Sequence, residues 1–140
     1  MKTFSTSIDI NASPERVWPI MSDVERWHEW TASITSIKKT DAGPLRVGST
    51  ATVRQPKLPP AKWRVTQLEP NKGFTWISTG PGVLVTGRHM IEPTAAGSRV
   101  TLAVEYSGAL GAVLAWLTGS LNDRYIALEA AGLKRKSEQG

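Results

Sequence analysis

The sequence predicts an α+β fold in which a strongly curved, seven-stranded antiparallel sheet wraps a long C-terminal helix. Three observations carry that expectation. Seven segments show strand-type alternation or turn-bounded apolar runs, one before residue 11 and six between residues 33 and 107. No helical stretch separates the six later strands, so the crossovers that a parallel sheet requires are missing. The last segment, about 109–136, carries leucines at helical spacing.

Residues 2–10 alternate Phe4, Thr6, Ile8 and Ile10 against Thr3, Ser5, Ser7 and Asp9, the period of a strand with one buried face. A helix start follows. Ser13 suits the N-cap, Pro14 the first helical position, and Glu15 places a carboxylate at the positive end of the helix dipole. Val17, Trp18 and Met21 then share a face. Pro19 has no backbone donor, so the helix is expected to kink or stop near it. Asp23 can recap the chain for a second short helix carrying Val24, Trp27 and Trp30.

Strands are expected over about 33–40, 46–55, 61–69, 73–79, 83–92 and 98–107, punctuated by the turn residues Asp41-Ala42-Gly43-Pro44, Pro59-Pro60, Pro70-Asn71-Lys72-Gly73, Gly80-Pro81-Gly82 and Ala95-Ala96-Gly97. The stretch Gln55-Pro56-Lys57-Leu58-Pro59-Pro60 is too rich in proline for a sheet interior and reads as an exposed hairpin loop bordering a pocket mouth. In the final helix Leu110, Leu114, Leu117, Leu121 and Leu128 follow one another at intervals of 4, 3, 4 and 7 residues. They fall on one stripe, with Val113 at its edge, and that stripe is expected to face the sheet. Trp116, Ile126 and Leu133 lie off it and are expected to be partly exposed.

Composition bounds the function. A chain of 140 residues with 40% hydrophobic and 21% charged residues has the size and make-up of one globular domain, taken as 1–140. The absence of cysteine removes disulfides, thiolate metal sites and thiol nucleophiles. With histidines only at 28 and 89, in separate elements, neither a metal site nor a cofactor is expected. The net charge of +5 is dispersed apart from Lys38-Lys39 and Lys134-Arg135-Lys136, and the second cluster sits where cations complement a helix C-terminus. Nucleic acid is therefore not an expected partner. No leader-like or membrane-spanning apolar run is present, so a cytoplasmic location without stable membrane insertion is expected. Trp116 offers the surface contact that a homodimer would use.

No phosphate loop and no nucleophile elbow is present. His89 shares a strand face with Val83, Val85, Gly87 and Ile91, the more apolar face, and so is expected to point toward the interior. Two readings stand beside each other: a core histidine bonded to a neighbouring strand, and a pocket group that orients a ligand or moves a proton. His28 reads as a surface residue. Arg124 falls roughly 40° from the leucine stripe. It either snorkels to solvent or meets an anionic partner inside. Trp63 and Trp76, and Trp30 at the lip, could wall a pocket or simply pack the core. Glu69, Glu92 and Glu105 read as solvent-facing, and no acid pair suited to hydrolysis is visible.

The ordered set Ala12-Ser13-Pro14-Glu15-Arg16-Val17-Trp18, Asp23-Val24-Glu25-Arg26-Trp27-His28-Glu29-Trp30, Gly87-Arg88-His89-Met90-Ile91-Glu92-Pro93 and Gly97-Ser98-Arg99-Val100-Thr101 resembles the START-like, pollen-allergen-like (SRPBCC) superfamily, in its polyketide cyclase/dehydrase-like branch. The resemblance spans essentially the whole chain. It implies a helix-grip fold with a cavity between the sheet and the last helix. It also implies either a carrier or sensor of a hydrophobic small molecule, or a cyclase/dehydrase-like enzyme. On the first reading Trp30, Trp63, Trp76, Val85, His89, Leu102, Val104, Leu117, Leu121 and Arg124 line the ligand site. On the second, His89 is the acid/base and Arg124 holds an oxyanion.

Overall fold

The computed structural model describes residues 2–139. Its elements run β1 (Lys2–Ile10), α1 (Pro14–Ser22), a short 3₁₀ helix (Val24–Glu29), β2 (Ser36–Lys39), β3 (Thr50–Arg54), β4 (Ala61–Glu69), β5 (Gly73–Gly80), β6 (Val83–Pro93), β7 (Ser98–Ser107) and α2 (Gly111–Glu138). The seven strands form one antiparallel sheet in the order β1-β7-β6-β5-β4-β3-β2. This is the helix-grip arrangement. Each later strand pairs with the one before it through a turn, and β1 closes against β7 because the chain's first strand has no sequential partner. A register shift between Val65 and Gln67 bends β4, and such a bulge raises local twist and curls the sheet.

Strand limits follow the alternation closely in β1, β4, β5, β6 and β7, but β2 and β3 are shorter than the sequence predicts. Thr35, Thr40, Gly48 and Ser49 still make cross-strand backbone bonds, and local side-chain bonds tie the chain beside them. Thr31 Oγ1 and Ser33 Oγ lie 2.7 Å apart and Ser33 N donates to Thr31 Oγ1, while Arg46 N donates to Ser49 Oγ and Ser49 N returns a bond to the Arg46 carbonyl. Short hydroxyl side chains offer the backbone local bonds that compete with regular strand geometry.

α1 continues through Pro19 to Ser22 rather than stopping. Pro19 and Glu15 are both exposed, so the Glu15 carbonyl that loses its helical donor can be satisfied by water. Ser13 occupies the N-cap position with extended backbone but makes no side-chain cap; its carbonyl accepts from the Arg16 and Val17 amides.

The larger correction concerns α2. The buried positions are Gly111, Ala115, Tyr125, Ile126, Ala130, Gly132, Leu133 and Ser137, whereas Leu117 is 65% exposed and Leu110 is also exposed. Ile126 and Leu133, expected to be partly exposed, belong to the core. Small residues set the phase because the helix must approach its neighbours closely. A Cβ on Gly132 would lie 2.0 Å from the Trp30 carbonyl oxygen, the same oxygen that accepts a hydrogen bond from Arg135 Nη2 at 2.8 Å. Leu110, Val113 and Leu117, displaced from the interior, lie exposed on the outer face beside Trp116, whose 81% exposure agrees with its place off the leucine stripe. Among the described residues no helix is long and apolar enough to cross a membrane.

Candidate functional site

Between the concave face of the sheet and α2 lies a cavity of about 660 Å³. Alternation along the strands builds its wall. β6 contributes Val83, Val85, Gly87 and His89, β7 contributes Leu102, Val104 and Tyr106, and Trp63 and Trp76 come from β4 and β5. Trp27 from the 3₁₀ helix closes one end. Leu58, Pro59 and Pro60 of the proline-rich loop edge the cavity, as the sequence predicts, and Tyr125 Oη on α2 donates to the Pro56 carbonyl, tying loop to helix.

Gly87 makes room for the tryptophan wall. It pairs in register with Trp76, and a Cβ on residue 87 would meet the Trp76 indole at 2.9 Å from Nε1. Trp76 in turn lies 5.6 Å from Trp63 and 5.9 Å from Trp27 between ring centroids. The outcome is a continuous aromatic surface, the type of lining that buries a flat apolar ligand.

His89 is buried at 6% exposure, stacked on Phe74 with centroids 4.2 Å apart and planes 11° from parallel. Nδ1 stands 3.3 Å from the Phe74 carbonyl. A carbonyl oxygen can only accept, so Nδ1 carries the proton and Nε2 keeps its lone pair. Burial lowers the pKa of the imidazole to about 4, the bond to the Phe74 carbonyl opposing this only in part. His89 thus bonds a neighbouring strand and also lines the cavity.

The helix wall is polar at its centre. Asn122 Nδ2 donates to Tyr106 Oη at 2.9 Å and to Thr118 Oγ1 at 3.1 Å, and Thr118 Oγ1 donates to the Leu114 carbonyl at 2.8 Å. Farther along the helix stands Glu129, whose carboxyl has no hydrogen-bond or ion-pair partner among the described residues. The residue is half-buried, and its partial withdrawal from water raises the pKa to about 8. Sequence reasoning missed this residue because the helical wheel was phased on leucines. Thr118, Asn122 and Glu129 share a stripe that phasing on Ala115, Ile126, Ala130 and Leu133 would have turned inward.

Of the residues expected to line the site, Trp63, Trp76, Val85, His89, Leu102 and Val104 come together on the cavity wall. Four do not. Trp30 is buried against Trp27 and Gly132, outside the cavity. Leu117 and Leu121 lie off the wall, and Arg124 is exposed, because α2 presents Thr118, Asn122 and Tyr125 inward instead. His89 and Arg124 therefore share no cavity. Exposed His28 agrees with its sequence reading, and Glu105 pairs with Arg88 at 2.9 Å.

A family model described as "Polyketide cyclase / dehydrase and lipid transport" matches residues 1–138. No curated protein matches the chain. Among solved structures, the hypothetical protein jhp0584 of Helicobacter pylori superposes with a TM-score of 0.82 at 14% identity, over 98% of this chain and 88% of the other. The protein TTHA0849 of Thermus thermophilus gives 0.76 at 17% identity over 97% of each chain. The Zhui aromatase/cyclase from a Streptomyces species gives 0.78 at 11% identity, over 98% of this chain and 93% of the other. At these identities the likeness is one of fold.

Proposed function

The chain belongs to the polyketide cyclase / dehydrase and lipid transport family, and from that premise we propose that it binds a hydrophobic small molecule in the cavity under α2, as a carrier or a sensor. The observation that carries the proposal is the cavity itself. Its volume of about 660 Å³ lies within the range of small-molecule sites, and Trp27, Trp63, Trp76, Val85, Leu102 and Val104 give it an apolar wall. Apolar surface of this extent is costly to leave in contact with water and gains by covering a ligand.

The cyclase-like reading built on His89 and Arg124 loses its chemistry. Arg124 faces solvent and cannot hold an oxyanion in the cavity. A pKa of about 4 leaves His89 neutral at pH 7 and a weak base.

The test is titration with the neutral fluorophore N-phenyl-1-naphthylamine. The wild-type protein should enhance and blue-shift its emission with saturation. Val104→Trp, which puts an indole into the cavity, should abolish this while keeping the far-UV circular dichroism of the parent. Equal binding by that variant would place the probe elsewhere and reject the proposal.

A further inference from the structure

Glu129 is the carboxyl group of the cavity wall, and nothing among the described residues pairs with it. It stands on α2 one turn beyond Tyr125, in a wall where the tryptophans and valines of the sheet face Thr118 and Asn122 of the same helix. The charged and titratable groups around the cavity do not serve it. Lys62 and Arg64 on β4 are exposed, and Arg88 on β6 is bonded to Glu105 at 2.9 Å. His89 is neutral with its proton on Nδ1, Tyr106 Oη takes the Asn122 amide, and Tyr125 Oη is spent on the Pro56 carbonyl. No cation among the described residues compensates the Glu129 carboxyl, and near pH 7 it is held mostly as the acid. A half-buried carboxyl held as the acid is an uncharged O–H donor, a role that apolar sites make available.

We propose that Glu129 is a ligand-recognition residue: its carboxylic acid donates a hydrogen bond to an acceptor oxygen of an uncharged aromatic ligand, so the cavity prefers carbonyl-bearing molecules over plain hydrocarbons of the same shape. The proposal rests on the cavity being a ligand site. His89 Nε2, the lone-pair acceptor on the sheet wall, complements this donor and suits a hydroxyl on the same ligand. Ionisation of Glu129 turns the donor into an unpaired charge, so the preference disappears as pH rises through about 8.

Displacement of N-phenyl-1-naphthylamine by 2-acetylnaphthalene and by 2-ethylnaphthalene measures the preference directly, as the two competitors differ in the acceptor oxygen. In the wild type the ketone should bind roughly 3- to 10-fold more tightly near pH 6.5, and the ratio should fall toward one above about pH 8.5. Glu129→Gln, which keeps a donor that does not titrate, should retain the ratio at every pH. Glu129→Leu should remove it while the hydrocarbon still binds. The inference is overturned if the ratio survives in Glu129→Leu, if its pH dependence survives in Glu129→Gln, or if 2-naphthylmethylamine binds best and ever more tightly with rising pH, the mark of a carboxylate recognising a cation. Binding of the hydrocarbon without any advantage for the ketone rejects this inference alone; failure of both competitors and of the fluorophore rejects the ligand site along with it.

Discussion

Gly87 stands directly across the sheet from Trp76, and the Trp76 indole occupies the space a side chain at 87 would need. The aromatic wall of the cavity depends on that absence. Gly87→Val should push the indole toward Trp63 and into the cavity. The expected result is a loss of about 1–3 kcal/mol of stability from overpacking and roughly tenfold weaker affinity for N-phenyl-1-naphthylamine. Urea unfolding and probe titration check the two effects separately.

His89 makes stability depend on acid. Its folded pKa of about 4 lies below the ordinary 6.5, so between those values the unfolded chain binds the extra proton. Stability is therefore complete above about pH 6.5 and falls as pH drops toward 4. The full effect is about 3 kcal/mol as an order of magnitude. His89→Gln removes this contribution, so the difference in unfolding free energy between wild type and variant should narrow from pH 7.5 to pH 4.5 by about 2–3 kcal/mol. A constant difference would contradict the assignment.

Gly132 lets α2 approach the Trp30 carbonyl. Alanine is the better helix former by about 1 kcal/mol, yet its Cβ would fall 2.0 Å from that backbone oxygen. Gly132→Ala should therefore destabilise by more than about 2 kcal/mol, against the helix-propensity trend, as measured by thermal or urea unfolding. An unchanged or raised melting temperature would contradict the close packing.

Arg124→Ala should change neither stability, within about 0.5 kcal/mol, nor probe affinity, because the guanidinium sits on the outer face of α2. A marked loss of binding would return Arg124 to the site.

The sheet was legible because strand alternation is a local signal, and β1, β4, β6 and β7 end where turn residues end them. Half of the cavity wall followed directly, since side chains of one strand face are fixed together: His89 brings Val85 and Gly87 with it. The helix wall did not follow. Leucine spacing predicts an inward stripe only when burial favours the largest side chains. α2 instead packs on β1, β7 and α1 with Gly111, Ala115, Ala130 and Gly132 among its buried positions, and it turns Thr118, Asn122 and Glu129 to the cavity. Leu110, Leu117 and Trp116 are left outside, and Arg124 with them. Glu129 is invisible to composition because its importance comes from what does not surround it.

On the proposed function, ligands enter the cavity rather than adhere to the apolar surface around Trp116. Two-dimensional ¹H–¹⁵N NMR of the side-chain resonances during addition of N-phenyl-1-naphthylamine tests it most directly. The indole N–H signals of Trp63 and Trp76 and the amide of Asn122 should shift and saturate together, with Trp116 unmoved. Shifts confined to Trp116, 81% exposed on the outer face of α2, would place the ligand outside the cavity.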